Sequence, residues 1–239
     1  MQYETITDGK TPVTILLKGP PGSGKTTKAV QFPSPVLFSF DNNLSSLRRL
    51  TPEQRSVIKI VQPRMDDGKV VQPQFIWGNF IKQLALVTAD DSVKTIVIDS
   101  LTTLSEILMD KILGTGDPAR KVEIQHWGEF SRYMKWLGEE LLCASDLDKH
   151  VIVTAHERII EDAATKSQRY VLNMGGSMKD SFDLFFTDCW RTWVKPVGTD
   201  KVVYWVRTLP TNYHNAKSSL DVPADFIWDT QKTKIFAQL

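Results

Sequence analysis

Residues 19–26 place three glycines, a lysine and a threonine in the spacing GxxxxGK[ST], a combination suited to gripping a polyphosphate. Gly19, Gly22 and Gly24 let the backbone turn and aim N–H groups at phosphate oxygens ahead of a helix N-terminus. Pro20 and Pro21 stiffen the entry and bring no donor of their own, while Ser23 and Thr27 complete the wrap. Lys25 is expected to reach the outer phosphates, and Thr26 to set its hydroxyl on Mg²⁺. An apolar run over 13–17 precedes the loop and a helix-compatible stretch over 27–30 follows it. That strand, loop and helix context separates a phosphate cradle from a glycine-rich turn that happens to precede a lysine.

A metal-side carboxylate is needed at the tip of a buried strand, and the run 95–98 ends in Asp99. Helix capping by Asp99 or Ser100 is the competing structural role. Ser100, in place of a glutamate, departs from the Asp-Glu pair of ring-forming AAA-type motors, and no Asn-Lys-x-Asp guanine-reading motif occurs. A carboxylate to orient attacking water is sought next. Asp41 follows a strand-like run over 36–40 expected beside the loop's own strand, though with Asn42 and Asn43 it also reads as a turn. Glu157 and Glu106 are weaker candidates. His156 leaves the strand-like run 150–154 at the sheet edge that should carry Asp99, a position for sensing the outer phosphate.

Positioning these residues requires a sheet. Apolar runs at 13–17, 36–40, 56–61, 94–98 and 150–154 alternate with helical patterns at 75–89, 100–113 and 122–147. That alternation predicts an α/β fold, a mainly parallel sheet with helices on both faces, in a single domain over 1–239 with its core at about 13–220. Residues 158–173 read as a hairpin or long loop. The β-rich runs 189–194 and 202–207, joined by a turn at 196–200, read as antiparallel strands extending the parallel core. Trp190, Trp193 and Trp205 lie there; stacking on unpaired bases is one use, but core packing is expected of at least two of the three.

A net charge of +1 means any nucleic-acid contact must come from a local patch. Cys143 and Cys189, in no metal-ligand spacing, are expected to be small core residues in a reducing cytoplasm. No signal segment and no membrane-spanning run is apparent.

Taken together, the loop 19–26, Asp41 past its strand, the run 96–100 and the run 151–156 resemble the RecA-like ATPases. They are most similar to the small phage-type, core-only "Sak" group of single-strand-annealing recombinases, which the pair Trp127-Gly128 and the 207–217 region also resemble. The resemblance implies a RecA-like P-loop core using ATP and Mg²⁺, with Asp41 activating water, although recombinases more often carry Glu there. It implies His156 as the γ-phosphate sensor and the loop after it as a contact for single-stranded DNA through Arg158, Lys166, Arg169 and Lys179. Glu157, Glu161, Asp162 and Asp180 share that loop, so a solvated hairpin is the competing reading. It further implies an oligomer or filament, with Arg207 and Lys217 completing a neighbour's site, and a single-stranded-DNA-binding protein as a companion. A P-loop kinase acting on a small molecule and an ATP-gated adaptor with negligible turnover are the rivals; no arginine-rich lid for a second substrate is found.

Overall fold

The computed structural model describes residues 12–41, 43–117, 119–143, 147–161, 166–199 and 201–239. Asn42, Asp162 and Asp200, together with residues 1–11 and 144–146, lie outside the described residues. Along the chain run β1 (Thr14–Gly19), α1 (Lys25–Ala29), β2 (Pro35–Ser39), a 3-10 turn (Leu44–Arg49), α2 (Pro52–Ser56) and β3 (Lys59–Val61). Then come β4 (Met65–Asp66), β5 (Lys69–Val70), α3 (Pro73–Thr88), β6 (Thr95–Asp99), α4 (Leu101–Leu113) and α5 (Ile124–Leu137). The remainder is β7 (His150–Glu161), β8 (Gln168–Leu172), β9 (Asp188–Val197), β10 (Lys201–Arg207), β11 (Asp225–Ile227) and α6 (Trp228–Gln238).

The main sheet is ordered β11-β10-β9-β1-β7-β6-β2-β3, and β8 pairs with the outer end of β7. Pairing is parallel from β9 through β3 and antiparallel for β8, β10 and β11. Strands buried on both faces alternate their side chains between two cores. Leu16, Phe38, Ile98 and Val153 meet α3, α4 and α5 on one side. Ile15, Leu17, Leu37, Val97 and Trp190 meet α1 and α6 on the other. The fold is the anticipated α/β architecture with a C-terminal antiparallel extension. Among the described residues no helix is long and apolar enough to cross a membrane.

Several expectations need correction. β2 does not lie beside β1: β7 and β6 stand between them. Asp41 still reaches the loop, because the chain after β2 folds back over α1 and Thr27 Oγ1 donates to the Ser46 carbonyl at 3.4 Å. The expected strand 56–61 begins later, since Thr51 and Gln54 form a capping box with Pro52 at the first turn and make residues 52–56 helical. The helix expected over 122–147 ends as α5, passing into a π turn at Gly138–Leu142. There the Phe185 ring takes the place of a side chain, a Cβ on Gly138 falling 2.6 Å from it. Cys189 is buried but Cys143, just past that turn, is exposed. The Asp67-Gly68 turn joining β4 to β5, and β11 with α6 beyond residue 220, were not anticipated.

Two antiparallel arms stand past the sheet edge. The last β1 pairs are Gly19 with His156 and Lys18 with Arg191. Beyond them β7 runs on with β8, realising the expected hairpin, and β9 runs on with β10. The glycine-rich loop leaves β1 between these arms.

Candidate nucleotide site

Gly24 caps α1 with a left-handed φ of 80°, which only glycine adopts at little cost. A Cβ there would stand 2.9 Å from Lys28 Nζ and 3.0 Å from the Tyr204 ring. At Gly19 (φ 149°) a Cβ would fall 2.2 Å from the Thr192 carbonyl oxygen. The loop is thus wedged against the β9–β10 arm, and Ser23 Oγ lies 2.7 Å from Thr192 Oγ1.

Lys25 Nζ donates to the carbonyls of Gly19 at 2.8 Å and Pro20 at 2.9 Å. Burial drives its pKa down to about 8, with the charges of Asp99 and Glu157 working the other way. His156 Nδ1 is 3.5 Å from that ammonium. Burial, then the Lys25 charge, lowers the His156 pKa, against a smaller opposing pull from Asp41. A neutral imidazole can accept from the lysine at Nδ1. Its backbone N–H donates to Thr102 Oγ1 at 3.1 Å, fixing the start of the β7 arm to α4.

Asp99 ends β6 buried. Its Oδ2 accepts from Thr26 Oγ1 at 2.9 Å and its Oδ1 accepts from Thr154 Oγ1. Burial pushes its pKa up, and those hydrogen bonds hold it down in part. The capping role falls to Ser100, whose Oγ accepts from the Thr103 N–H, so Asp99 is left to face Thr26. Asp41 is exposed, its Oδ1 accepting from the Asn43 N–H at 3.0 Å, so the turn reading and the site reading hold together.

These groups line one cavity of about 310 Å³: Gly22, Lys25, Thr26, Asp41, Asp99 and His156, together with Pro21, Gly24 and Thr27. Gly19, Pro20 and Ser23 shape the loop from outside that lining. The sequence reading missed Asn43, Ser45, Ser46 and Arg49, which the turn after Asp41 brings over the opening. A second cavity of about 360 Å³ adjoins it on the other side of Gly24, lined by Thr27, Lys28, Arg49, Tyr204, Trp228 and Lys232 among others. Lys28 Nζ donates to Ser23 O at 2.9 Å and lies 5.0 Å from the Tyr204 ring centre. Burial lowers its pKa to about 7. Arg49 bonds the Tyr204 hydroxyl. Only tertiary proximity reveals Lys28 and Tyr204, since neither belongs to the motif.

The remaining candidates sit elsewhere. Glu157 is buried and held by Arg191 (Nε to Oε2, 2.9 Å), and Glu106 lies on α4 away from the cavity. Lys166 pairs with Glu161 at 3.4 Å; Arg169 and Lys179 both pair with Asp180 at 3.1 Å. Arg158 is exposed. Arg207 makes a bidentate pair with Asp225 of its own chain, both contacts at 2.8 Å. Lys217 is exposed and its backbone is bridged to Cys189, below the edge where the loop lies.

A cradle of glycine N–H groups, a buried lysine bonded to loop carbonyls and a Thr-Asp oxygen pair fit a nucleoside polyphosphate with a hard divalent cation. Mg²⁺ takes few protein ligands and keeps waters and phosphate oxygens; among the described residues no cluster of three or more His, Cys, Asp or Glu could hold a metal by itself. A family described as an AAA domain, AAA_24, matches residues 11–219. The chain belongs to this family. The Asp99-Ser100 pair remains its difference from the Asp-Glu motors that share the AAA label. No curated protein matches. Among solved structures, a type III secretion system ATPase from pathogenic bacteria aligns with TM-score 0.50 at 14% identity, over 77% of this chain and 52% of its own. That likeness supports the RecA-like P-loop fold. A KaiC-like protein, PH0186, from Pyrococcus horikoshii OT3 aligns with TM-score 0.46 at 16% identity over 87% and 83% of the two chains. The flagellar accessory protein FlaH of Methanocaldococcus jannaschii gives 0.39 at 13% identity over 89% and 91%.

Proposed function

We propose that this P-loop protein hydrolyses ATP with Mg²⁺ in the 310 Å³ cavity and uses the cycle to bind and pair or anneal single-stranded DNA. The observation that carries the nucleotide half is the meeting of Lys25, Thr26, Asp99 and Asp41 around one opening at the C-terminal sheet edge, where ligands of open α/β sheets bind. The bound nucleotide supplies the phosphoanhydride bond that water cleaves. Lys25 balances the phosphate charge, Thr26 and Asp99 hold the metal side, and Asp41, open to the cavity, accepts a proton from water. Tyr204 and Arg49 offer the neighbouring cavity a ring and a planar cation suited to a purine.

The DNA half rests on the resemblance to the annealing recombinases and on His156, which touches Lys25 and begins the β7–β8 arm. An oligomer in the cytoplasm, and a single-stranded-DNA-binding companion, follow from the same resemblance. The intrachain pairing of Lys166, Arg169 and Lys179 favours a second reading, an ATP-gated adaptor whose arm meets protein. ATP hydrolysis measured with and without oligo(dT) separates the two. Stimulation that disappears in Lys25→Ala supports the DNA reading. Hydrolysis indifferent to DNA, with no strand binding at low salt, overturns it.

A further inference from the structure

Trp193 and Trp205 belong to neither core. They are directly opposed across β9 and β10, rings 6.0 Å apart and 17° from parallel. This corrects the expectation that at least two of Trp190, Trp193 and Trp205 serve the core: Trp190 alone is fully buried. The physical reason is reach. β9 and β10 outrun the helices, and the face carrying Trp193 and Trp205 is turned away from α6, which packs on the Trp190 and Val206 side.

The sheet register sets the surroundings of the indole pair in rows. On one side Arg207 opposes Arg191, and the Arg207 guanidinium lies 5.5 Å from the Trp193 ring centre. On the other side come Lys195 opposite Val203, then Lys201 opposite Val197, both lysines exposed. The carboxylates bonded to this face, Glu157 and Asp225, are each held by an arginine. Among the described residues Lys195 and Lys201 make no ion pair, whereas in the β7–β8 arm Lys166 pairs with Glu161, Arg169 and Lys179 share the one carboxylate of Asp180, and Arg158 is exposed without an ion pair.

We propose that this face of the β9–β10 arm is a single-strand nucleic-acid surface. Bases stack on the Trp193–Trp205 pair while phosphates lie against Lys195 and Lys201. The inference deepens the proposed function and rests on its DNA half, moving the main strand contact off the hairpin that follows His156. Stacking platforms flanked by cations suit unpaired strands because every base offers a π face and every phosphate a charge. The same arm touches the nucleotide loop: Thr192, bonded to Ser23, precedes Trp193, and Tyr204, against Gly24, precedes Trp205. A shift in the loop therefore acts on the residues that adjoin both indoles.

The test is titration of fluorescein-labelled oligo(dT) by anisotropy, with Mg²⁺ and a non-hydrolysable ATP analogue, across a salt series. Trp193→Leu and Trp205→Leu should each weaken binding about tenfold. The surface pair Lys195→Glu/Lys201→Glu leaves the indoles in place and should flatten the salt dependence by about two charges. It keeps the test open should a tryptophan variant misfold, as circular dichroism would reveal. Wild-type affinity in the folded arm variants, with binding lost in Lys166→Ala/Arg169→Ala, overturns the surface but leaves the DNA reading standing. Arm variants that change only the oligomeric state in light scattering overturn it in favour of a contact between copies. A wild-type chain that binds no oligo(dT) overturns both.

Discussion

The two arms flanking the nucleotide loop are built alike and charged differently. Each is an antiparallel pair rooted beside β1, one on His156, the other on Thr192. The β7–β8 arm touches the loop through a titratable ring and pairs Lys166, Arg169 and Lys179 with Glu161 and Asp180, leaving Arg158 exposed. The β9–β10 arm touches the loop through neutral contacts and leaves its lysines exposed and its two indoles half-buried outside either core. The arms are joined across the tip of β1 by the pair Glu157–Arg191, its carboxylate buried and its arginine half-buried. Counting charge along the sequence favours the first arm; subtracting internal pairs removes that advantage, and the stacked indoles belong to the second. One arm is therefore suited to sense the nucleotide and the other to hold a ligand.

The largest effect on that division should come from the shared root. Lys25→Ala should lower ATP turnover on the order of 10²-fold or more and leave neither arm responsive to nucleotide, as measured by steady-state hydrolysis and by oligo(dT) affinity with and without ATP. Arg191→Met should strand the buried Glu157 carboxylate and destabilise the fold by about 3–5 kcal/mol in urea unfolding. Adding Glu157→Leu should recover most of that loss. If the single change costs nothing, the arms are not bolted together as described. Thr192→Val removes the Ser23 contact and should reduce the factor by which ATP strengthens DNA binding. Calorimetry in both orders of addition should give the same reduced factor, because linkage is reciprocal.

The smallest effect is in pH. A lysine of pKa about 8 loses charge as pH rises from about 7 to about 9, so ATP affinity should fall severalfold over that interval. Stability should move oppositely. Lys25 and Lys28 titrate below their unfolded value of 10.5, so folding disfavours their charged forms. That cost is full only well below the Lys28 value of about 7, where both are charged in either state, and is relieved as pH climbs through their folded pKa values toward 10.5. The ligand-free melting temperature should carry this rising contribution, and Lys28→Met should flatten it.

Much of the nucleotide site could be read from the chain because its parts are local. Residues 19–26 are contiguous, and Asp99 and His156 each end an apolar run, so strand ends announce them. Asp41 was found for a partly mistaken reason, since adjacency of β2 to β1 is a matter of strand order. What escaped was what strand order and side-chain pairing decide. Tyr204 and Lys28 meet only because β10 passes Gly24, and Arg49 reaches the opening only because the turn after β2 folds back. The Asp67-Gly68 turn was visible as residues, yet its strands are too short for a hydrophobic pattern to declare them.

By itself, then, the sequence determined that this protein has a P-loop on an α/β sheet and which lysine, threonine and aspartate meet at one cavity. Glycine conformations, strand periodicity and cap chemistry act within a few residues and need no knowledge of the rest. Only the tertiary structure decided which cations stay unpaired, which tryptophans escape the core and which arm presses on the loop. Those properties are relations between distant groups: Arg169 and Lys179 share the Asp180 carboxylate, and Trp193 is half-buried outside either core because no helix packs over it. A charge or a ring has its chemical meaning fixed by what it faces, and the fold sets that.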